Sequence, residues 1–159
     1  MKITAFTDYA LRTLLMLAER RGSLLTIAEV ADYFLISEAH LMKVTHLLGR
    51  SGWVETVRGR NGGMRLIVNP DDLTLDEVVA YLEGEFALAE CFTAANSCRL
   101  AGACGLELAL QQAGSAFNAA LKNHTLASIS RATRSTLPTE ASIALPTKVK
   151  LQAKARTKT

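Results

Sequence analysis

Apolar residues recur at spacings of three and four along the first fifty residues, which predicts three helices. The first covers about residues 5–21 and ends at Gly22. Thr26 and Glu29 form a capping-box pattern that begins the second helix, because each side chain can satisfy a free backbone N–H of the other residue. The third begins after Ser37, a favoured N-cap residue. Only residues 34–36 separate the second helix from Ser37. Two helices joined by a turn this short indicate a helix-turn-helix, although an ordinary helical hairpin has the same pattern.

Two β-prone runs, residues 53–57 and 64–68, follow the third helix and predict a hairpin. The turn between them, residues 58–63, reads Arg-Gly-Arg-Asn-Gly-Gly, and its Asn-Gly pair favours positive φ. A hairpin in this place is typical of the wing of a winged helix. Glycines let the backbone approach a phosphate closely, and the guanidinium groups of Arg58 and Arg60 suit a narrow minor groove. The two arginines could be solubilising charges, but a basic wing after a helix-turn-helix favours DNA binding.

The second half of the chain predicts a short helix and a long helix. Thr74 and Glu77 form a second capping box, which starts a helix that ends near Leu82. The long helix covers residues 106–123, and one stripe of it is apolar: Leu106, Leu110, Ala113, Phe117, Ala120 and Leu121. The rest of the chain has little to cover that stripe, so a twin helix from a second subunit is the expected partner. The alternative is that the long helix folds back onto the helix-turn-helix and hairpin of its own subunit, which together form the head of the molecule (residues 1–83).

These elements predict a mostly α fold with a small β-hairpin wing. A winged helix-turn-helix domain over residues 1–83 precedes a cysteine-bearing loop over 84–105, a dimerisation helix and following segment over 106–131, and a basic, mostly disordered tail over 132–159. Charge divides in the same way. Residues 1–70 carry nine Lys and Arg against six Asp and Glu, whereas residues 71–131 carry three against eight. A basic front fits a polyanionic partner.

Nothing in the sequence indicates a membrane or export. No apolar run approaches the roughly 20 residues that a membrane span requires, and the amphipathic N-terminus has no small-residue cleavage site. The protein is therefore expected in the cytoplasm, where thiols stay reduced. The sequence also contains no nucleophile–base pair, P-loop or dinucleotide fingerprint, so an enzyme is not expected.

All three cysteines lie in the stretch CFTAANSCRLAGAC, at Cys91, Cys98 and Cys104. So few large apolar side chains cannot fold around a core of their own, which suggests that a metal fixes this stretch. An odd number of cysteines also suits ligation better than disulfides. Thiolate is the soft ligand that iron–sulfur clusters require. Structural zinc sites usually pair cysteines two to four residues apart, so zinc and a metal-free loop are the weaker alternatives.

Three features together resemble the nitric-oxide-sensing NsrR-type repressors, in the family of dimeric winged-helix regulators that includes the iron–sulfur regulator IscR. They are the segment Phe6-Thr-Asp-Tyr-Ala-Leu-Arg12, the wing Val57-Arg-Gly-Arg-Asn-Gly-Gly63 and the Cys-x6-Cys-x5-Cys spacing. The resemblance covers about residues 1–130. It implies a homodimeric repressor that releases operator DNA when nitric oxide nitrosylates its cluster, with 4Fe–4S favoured over 2Fe–2S.

The resemblance also implies the cluster ligands. The three cysteines of one subunit hold the cluster in this family, which here means Cys91, Cys98 and Cys104. IscR adds a histidine after its third cysteine, where this chain has Glu107 and Leu108. In NsrR-type proteins the fourth ligand is an aspartate near the start of helix one of the other subunit, and Asp8 matches it. Taken alone, Asp8 is a first-turn acid that stabilises the helix dipole.

The expected DNA contacts lie on the third helix and the wing. Base edges are usually met near the start of a recognition helix, and backbone or minor groove by a wing. The candidates are Ser37, His40 and Lys43 on the helix and Arg58, Arg60 and Asn61 on the wing, whereas His46 and His124 are expected to be structural or exposed.

Two other functions use the same parts: a regulator of iron–sulfur assembly or redox state, and, in another class, a small iron–sulfur electron carrier. A carrier would have no use for a basic wing.

Overall fold

The computed structural model describes residues 3–84, 88–93 and 95–136, and it confirms a mostly α fold with one antiparallel hairpin. The described elements are α1 (Ala5–Glu19), α2 (Ile27–Phe34), α3 (Glu38–Arg50), β1 (Val54–Val57), β2 (Gly63–Leu66), α4 (Leu75–Glu83), a 3-10 turn (Glu90–Phe92), α5 (Gly105–Lys122) and α6 (Leu126–Thr136). In this part of the chain, no helix is long and apolar enough to cross a membrane.

The predicted caps set the starts of α2 and α3. Glu29 accepts a hydrogen bond from the Thr26 backbone N–H at 2.7 Å, and its own N–H donates to the Thr26 hydroxyl at 3.2 Å. Ser37 caps α3, where its hydroxyl accepts from the backbone N–H of His40 at 3.4 Å. Because these bonds satisfy backbone groups that a helix end leaves free, they fix where the helix-turn-helix begins each of its helices.

The core forms where α1 packs against α2, α3 and the hairpin. Leu14 and Leu17 of α1 are buried together with Leu41 and Leu48 of α3. Thr45 is buried as well, with its hydroxyl 3.4 Å from the Met64 sulfur, a contact that hydrophobic periodicity does not reveal. These contacts hold α3 against α1 and β2.

A third segment extends the hairpin. Leu25 and Met64 exchange two backbone hydrogen bonds, at 2.9 and 2.8 Å, beside the β1–β2 pair. The chain passes so close to Gly63 that a Cβ there would lie 2.7 Å from the Leu25 carbonyl oxygen. Glycine is therefore required at position 63, where the wing packs against the segment before α2.

The sequence did not predict α6, and the structure corrects one boundary. Leu126 and Ala127 at its start are buried, and its Arg134 forms an ion pair of 3.3 Å with Glu19 of α1. The helix runs to Thr136, so residues 132–136 are helical rather than part of a disordered tail. The rest of the predicted tail, 137–159, lies outside the described residues.

The C-terminal end of the long helix α5 is tied to the start of α4. Just beyond that end, the His124 carbonyl accepts from Leu75 N–H at 2.9 Å, and Thr125 pairs with Thr74 at the start of α4. α5 has 18 residues and α4 has nine, so α5 is the longer of the two helices by about 13 Å. Along α5, which the structure describes in full, no residue is buried, and Leu106 is 66% exposed. Folding back on the head therefore leaves this end of the apolar stripe uncovered.

Replacing Gly63 by alanine is predicted to destabilise the protein by about 1–3 kcal/mol, because the new methyl group collides with backbone rather than with a movable side chain. Urea unfolding followed by circular dichroism measures the change. Gly49→Ala is the matched control: a Cβ in α3 there is 3.9 Å from the nearest atom, the Val54 carbonyl oxygen, so this change should stabilise the helix by up to about 1 kcal/mol. Equal effects of the two substitutions would contradict the prediction.

Candidate nucleic-acid interface and cysteine loop

The exposed face of α3 lies opposite its buried leucines. Helical periodicity places Lys43, His46 and Arg50 on that face, and all three are exposed. Arg50 and the exposed His46 extend the surface beyond the residues predicted as DNA contacts. The signal that identifies them is their spacing of three and seven residues from Lys43, which sequence reasoning did not apply to this face.

Two of the predicted contacts already have partners within the chain. The Ser37 hydroxyl lies 2.8 Å from Nδ1 of His40, and the His40 ring lies 6.1 Å from that of Tyr9 on α1. Both side chains therefore lie at the edge of the helix that faces α1. Lys43 is exposed and lies nearer the middle of the outward face.

A groove of about 790 Å³ separates the outer face of α3 from the first strand of the wing. Met42, His46 and Arg50 line it from the helix, and Thr56 and Arg58 line it from the strand side. Arg50 and Arg58 therefore border the groove on opposite sides, and Glu55, which is paired with Arg65, lines it on the strand side as well. A double-helical backbone between recognition helix and wing would meet positive charge on each flank.

The wing tip presents Arg58, Arg60 and Asn61, all of them exposed. The structure departs from one expectation here: positive φ falls at Gly59, at 111°, rather than in the Asn61–Gly62 pair. Farther from the tip, Arg65 is held by Glu55 on the paired strand, with 2.6 Å between nitrogen and oxygen. Arg65 therefore differs from Arg58 and Arg60 at the tip, because it has a carboxylate partner across the strands.

Carboxylate and amide side chains shape the cysteine loop. Glu90 accepts hydrogen bonds from both the backbone N–H and the hydroxyl of Ser97, at 3.2 and 2.7 Å, which lower the pKa of Glu90. Farther along, Asn96 accepts from the backbone N–H of Cys98 at 2.9 Å, and Glu107 accepts from that of Gly102 at 2.8 Å. The described loop is thus ordered by polar bonds to its own backbone rather than by a core.

The three thiols lie near one another without forming a closed site. None of them is in a disulfide; Cys98 is exposed, and Cys91 and Cys104 are half-buried. Desolvation raises the pKa of the Cys91 thiol, and the nearby carboxylate of Glu107 raises it further. In the described residues, however, no three His, Cys, Asp or Glu side chains are close enough to hold a metal ion. The donor set fits an iron–sulfur cluster in its chemistry, since cysteine sulfur is the ligand of such clusters and all three cysteines lie on one loop.

Asp8 lies elsewhere in the same subunit. Its carboxylate forms an ion pair with Arg12 one turn later in α1, at 2.8 Å, in a groove that also contains Leu35. In the described part of the chain, Asp8 does not join the cysteines in a metal-capable group. A role for Asp8 beside these thiols therefore requires the thiols of another subunit or a large rearrangement of its own.

A hydrogen-bonded tie links the base of the cysteine loop to the start of α1. Glu83, the last residue of α4, accepts from both the backbone N–H and the hydroxyl of Thr4, each at 2.9 Å. Partial burial acts to raise the pKa of Glu83, but hydrogen bonds from Thr7 and Thr4 outweigh it and hold the pKa below its ordinary value. The ionised carboxylate therefore fastens α4 to the helix that carries Asp8.

Glu83→Gln is predicted to lower the free energy of unfolding by about 1 kcal/mol at pH 7, because an amide accepts these bonds more weakly than a carboxylate. The pKa is lower in the folded protein, so ionised Glu83 stabilises the fold above its unfolded pKa, and this contribution is lost as pH falls through the folded value. Urea unfolding at pH 7 and at about pH 3 should show the difference shrinking. Asp32→Asn, at an exposed acid of α2, serves as control, and a pH-independent difference for Glu83→Gln would contradict the tie.

Comparison with known proteins places these features in context. The model of the Rrf2 family, described as an iron-dependent transcriptional regulator, matches residues 3–132. The HTH-type transcriptional regulator NsrR of Bacillus subtilis (strain 168) is 47% identical over 128 residues, which cover 79% of this chain and 88% of the relative. NsrR of Bacillus licheniformis is 45% identical over 131 residues, with coverage of 81% and 92%. The solved structure of T. potens IscR has the same fold, with a TM-score of 0.70 at 19% identity over 87% of this chain and 93% of that one.

Proposed function

Because this chain belongs to the Rrf2 family of iron-dependent transcriptional regulators, we propose that it is a homodimeric repressor that senses nitric oxide through an iron–sulfur cluster. The matches confirm the resemblance to NsrR-type regulators, and they make the chain a DNA-binding transcriptional regulator rather than an enzyme. The observation that supports the sensing role is the position of three free cysteines on a loop whose base is tied to α1.

The proposed cluster ligands are Cys91, Cys98 and Cys104 of one subunit and Asp8 of the other. When bound, the cluster would supply iron that reacts with nitric oxide, and 4Fe–4S is favoured over 2Fe–2S. A carboxylate is a harder and weaker ligand than a thiolate, so Asp8 marks the most exchangeable position. Arg12 lies 2.8 Å from Asp8 and would receive its carboxylate when that ligand is lost.

The proposed DNA surface combines the outer face of α3 with the wing tip. Lys43 and the neighbouring His46 and Arg50 would follow the major groove, and Arg58, Arg60 and Asn61 would take backbone and minor groove. Ser37 and His40 would meet DNA only at the edge of this surface, because they already contact each other and α1. A repressor with these contacts would act in the cytoplasm.

Release of DNA would follow from the packing of α1. This helix carries Asp8, is tied at Thr4 to the base of the cysteine loop, and packs directly on α3. A shift of α1 therefore moves the recognition helix. In a dimer joined along α5, the two recognition helices must match half-sites about 34–36 Å apart, so a small rotation of each is enough to weaken operator binding.

Anaerobically purified protein is expected to be brown, and its absorbance and Mössbauer spectra should change on addition of stoichiometric nitric oxide. Fluorescence anisotropy on a palindromic promoter fragment should show tight binding that nitric oxide abolishes. Cys98→Ala should remove both the colour and the response, whereas Ala101→Ser, an exposed loop position without a thiol, should retain them.

Three outcomes would redirect the proposal. Release on oxidation but not on nitric oxide would indicate a regulator of iron–sulfur assembly or redox state. A reversible redox spectrum without any DNA binding would indicate an electron carrier. A colourless preparation that contains zinc would show that the sensing proposal is wrong.

Arg60→Ala is predicted to weaken operator binding and to lower the slope of log K against log salt by about one unit, because one phosphate contact is lost. Arg65→Ala removes the same charge from the same hairpin, but Arg65 is paired with Glu55 at 2.6 Å. Its slope should therefore stay close to that of the unmodified protein. Anisotropy titrations over a range of salt concentrations measure both, and equal slopes for the two variants would contradict the role of the wing tip.

A further inference from the structure

Met42 is an exposed apolar side chain on the helix that carries the proposed DNA surface. It is 56% exposed, whereas Leu41 and Val44 beside it are completely buried. Single exposed apolar residues are common on protein surfaces, so exposure alone indicates little. What distinguishes Met42 is its position, because it lies in the first half of α3, where a recognition helix meets base edges.

The surroundings of Met42 indicate which kind of partner covers it. Met42 and His46, one helical turn apart, line the groove between α3 and the wing. Arg50 and Arg58 line the same groove, and Lys43, next in sequence to Met42, is exposed. An apolar protein surface would offer these cations no anion. Duplex DNA supplies phosphates to the cations and base edges to the helix between them.

An apolar side chain at this position suits one base in particular. In the major groove every base presents hydrogen-bond donors or acceptors, and thymine adds a C5-methyl group. Methionine has no hydrogen-bond donor, and its flexible, polarisable thioether adapts to the shape of an apolar contact. Ala39, three residues before Met42 and on the same side of α3, is also exposed. Its small side chain allows a base pair to approach the helix closely.

We infer that Met42 contacts the C5-methyl group of a thymine in each operator half-site, and that Ala39 leaves room for this approach. The inference rests on DNA binding by α3, which the proposed function shares, and not on the cluster. Phosphate contacts by Arg58 and Arg60 carry no sequence information, so the contact at Met42 adds a preference for an A·T pair at a defined position.

Uracil interference tests the contact at every thymine of a binding site. Sites are first selected from random-sequence duplexes with the full-length, anaerobically purified protein. Their thymines are then replaced at random by uracil, which lacks only the methyl group. Uracil at particular positions of each half-site should exclude DNA from the fraction bound by the unmodified protein. Met42→Ala should tolerate uracil at those positions, whereas Met42→Leu, which keeps a large apolar side chain, should retain the interference.

Two results of this experiment would overturn the inference. One is an interference pattern that is the same in Met42→Ala and in the unmodified protein. The other is a selected site at which uracil interferes nowhere. A selection that enriches no site would overturn the proposed DNA surface and the inference together.

Fluorescence anisotropy on the selected duplex measures the size of the contact. Replacing the identified thymine by uracil should weaken binding of the unmodified protein by about four-fold, which corresponds to the burial of one methyl group. The same replacement should leave the affinity of Met42→Ala unchanged, because both changes remove one contact. The slope of log K against log salt should also stay the same in Met42→Ala, since no phosphate contact is lost. Strictly additive losses, or a smaller slope, would contradict the inference.

Lys43→Ala is the matched variant at the neighbouring position. It should weaken binding to all duplexes, while the effect of uracil at the identified thymine persists. Loss of the uracil effect in Lys43→Ala but not in Met42→Ala would assign the methyl contact to the lysine stem and overturn the inference. A failure of the proposed function is distinguishable: binding that ignores nitric oxide would refute sensing, and the uracil pattern would still decide the role of Met42.

Discussion

Burial of one face of α1 is the interaction on which the rest of the structure depends. Leu14 and Leu17 of this helix reach zero and 1% exposure, and α1 contacts α2, α3, β2, α4 and α6. Its ends are held by two carboxylates: Glu83 binds Thr4 before the first turn, and Glu19 in the last turn binds Ser130 and pairs with Arg134 of α6. Because α1 is fixed both along its length and at its ends, the recognition helix α3 and the base of the cysteine loop are both held by the same helix.

Local sequence signals predicted the head of the molecule well. The capping pattern at Thr26 and Glu29, and Ser37 before α3, correspond to bonds that the folded chain makes. These signals work because a helix start is decided within four residues. The family and the winged-helix class followed from the same residues together with the wing and the spacing of the cysteines.

Features that depend on distant contacts could not be predicted in this way. The polar composition of α6 concealed it, because its helix depends on the burial of Leu126 and Ala127 against the head. The need for glycine at position 63 arises from the approach of Leu25, which is far away in sequence. The engagement of His40 with Tyr9 is likewise a tertiary contact, and it reduces what a residue near the start of a recognition helix is free to touch.

The length of α5 has a mechanical consequence. The helix is about 27 Å long, with the Thr74–Thr125 pairing just beyond its C-terminal end and Cys104 at its N-terminal tip. A tilt of about 10° at the paired end moves that tip by about 5 Å, which exceeds the length of a bond between a metal and a thiolate. Ligand geometry at the tip is therefore sensitive to angular changes too small to disturb the packing of the head.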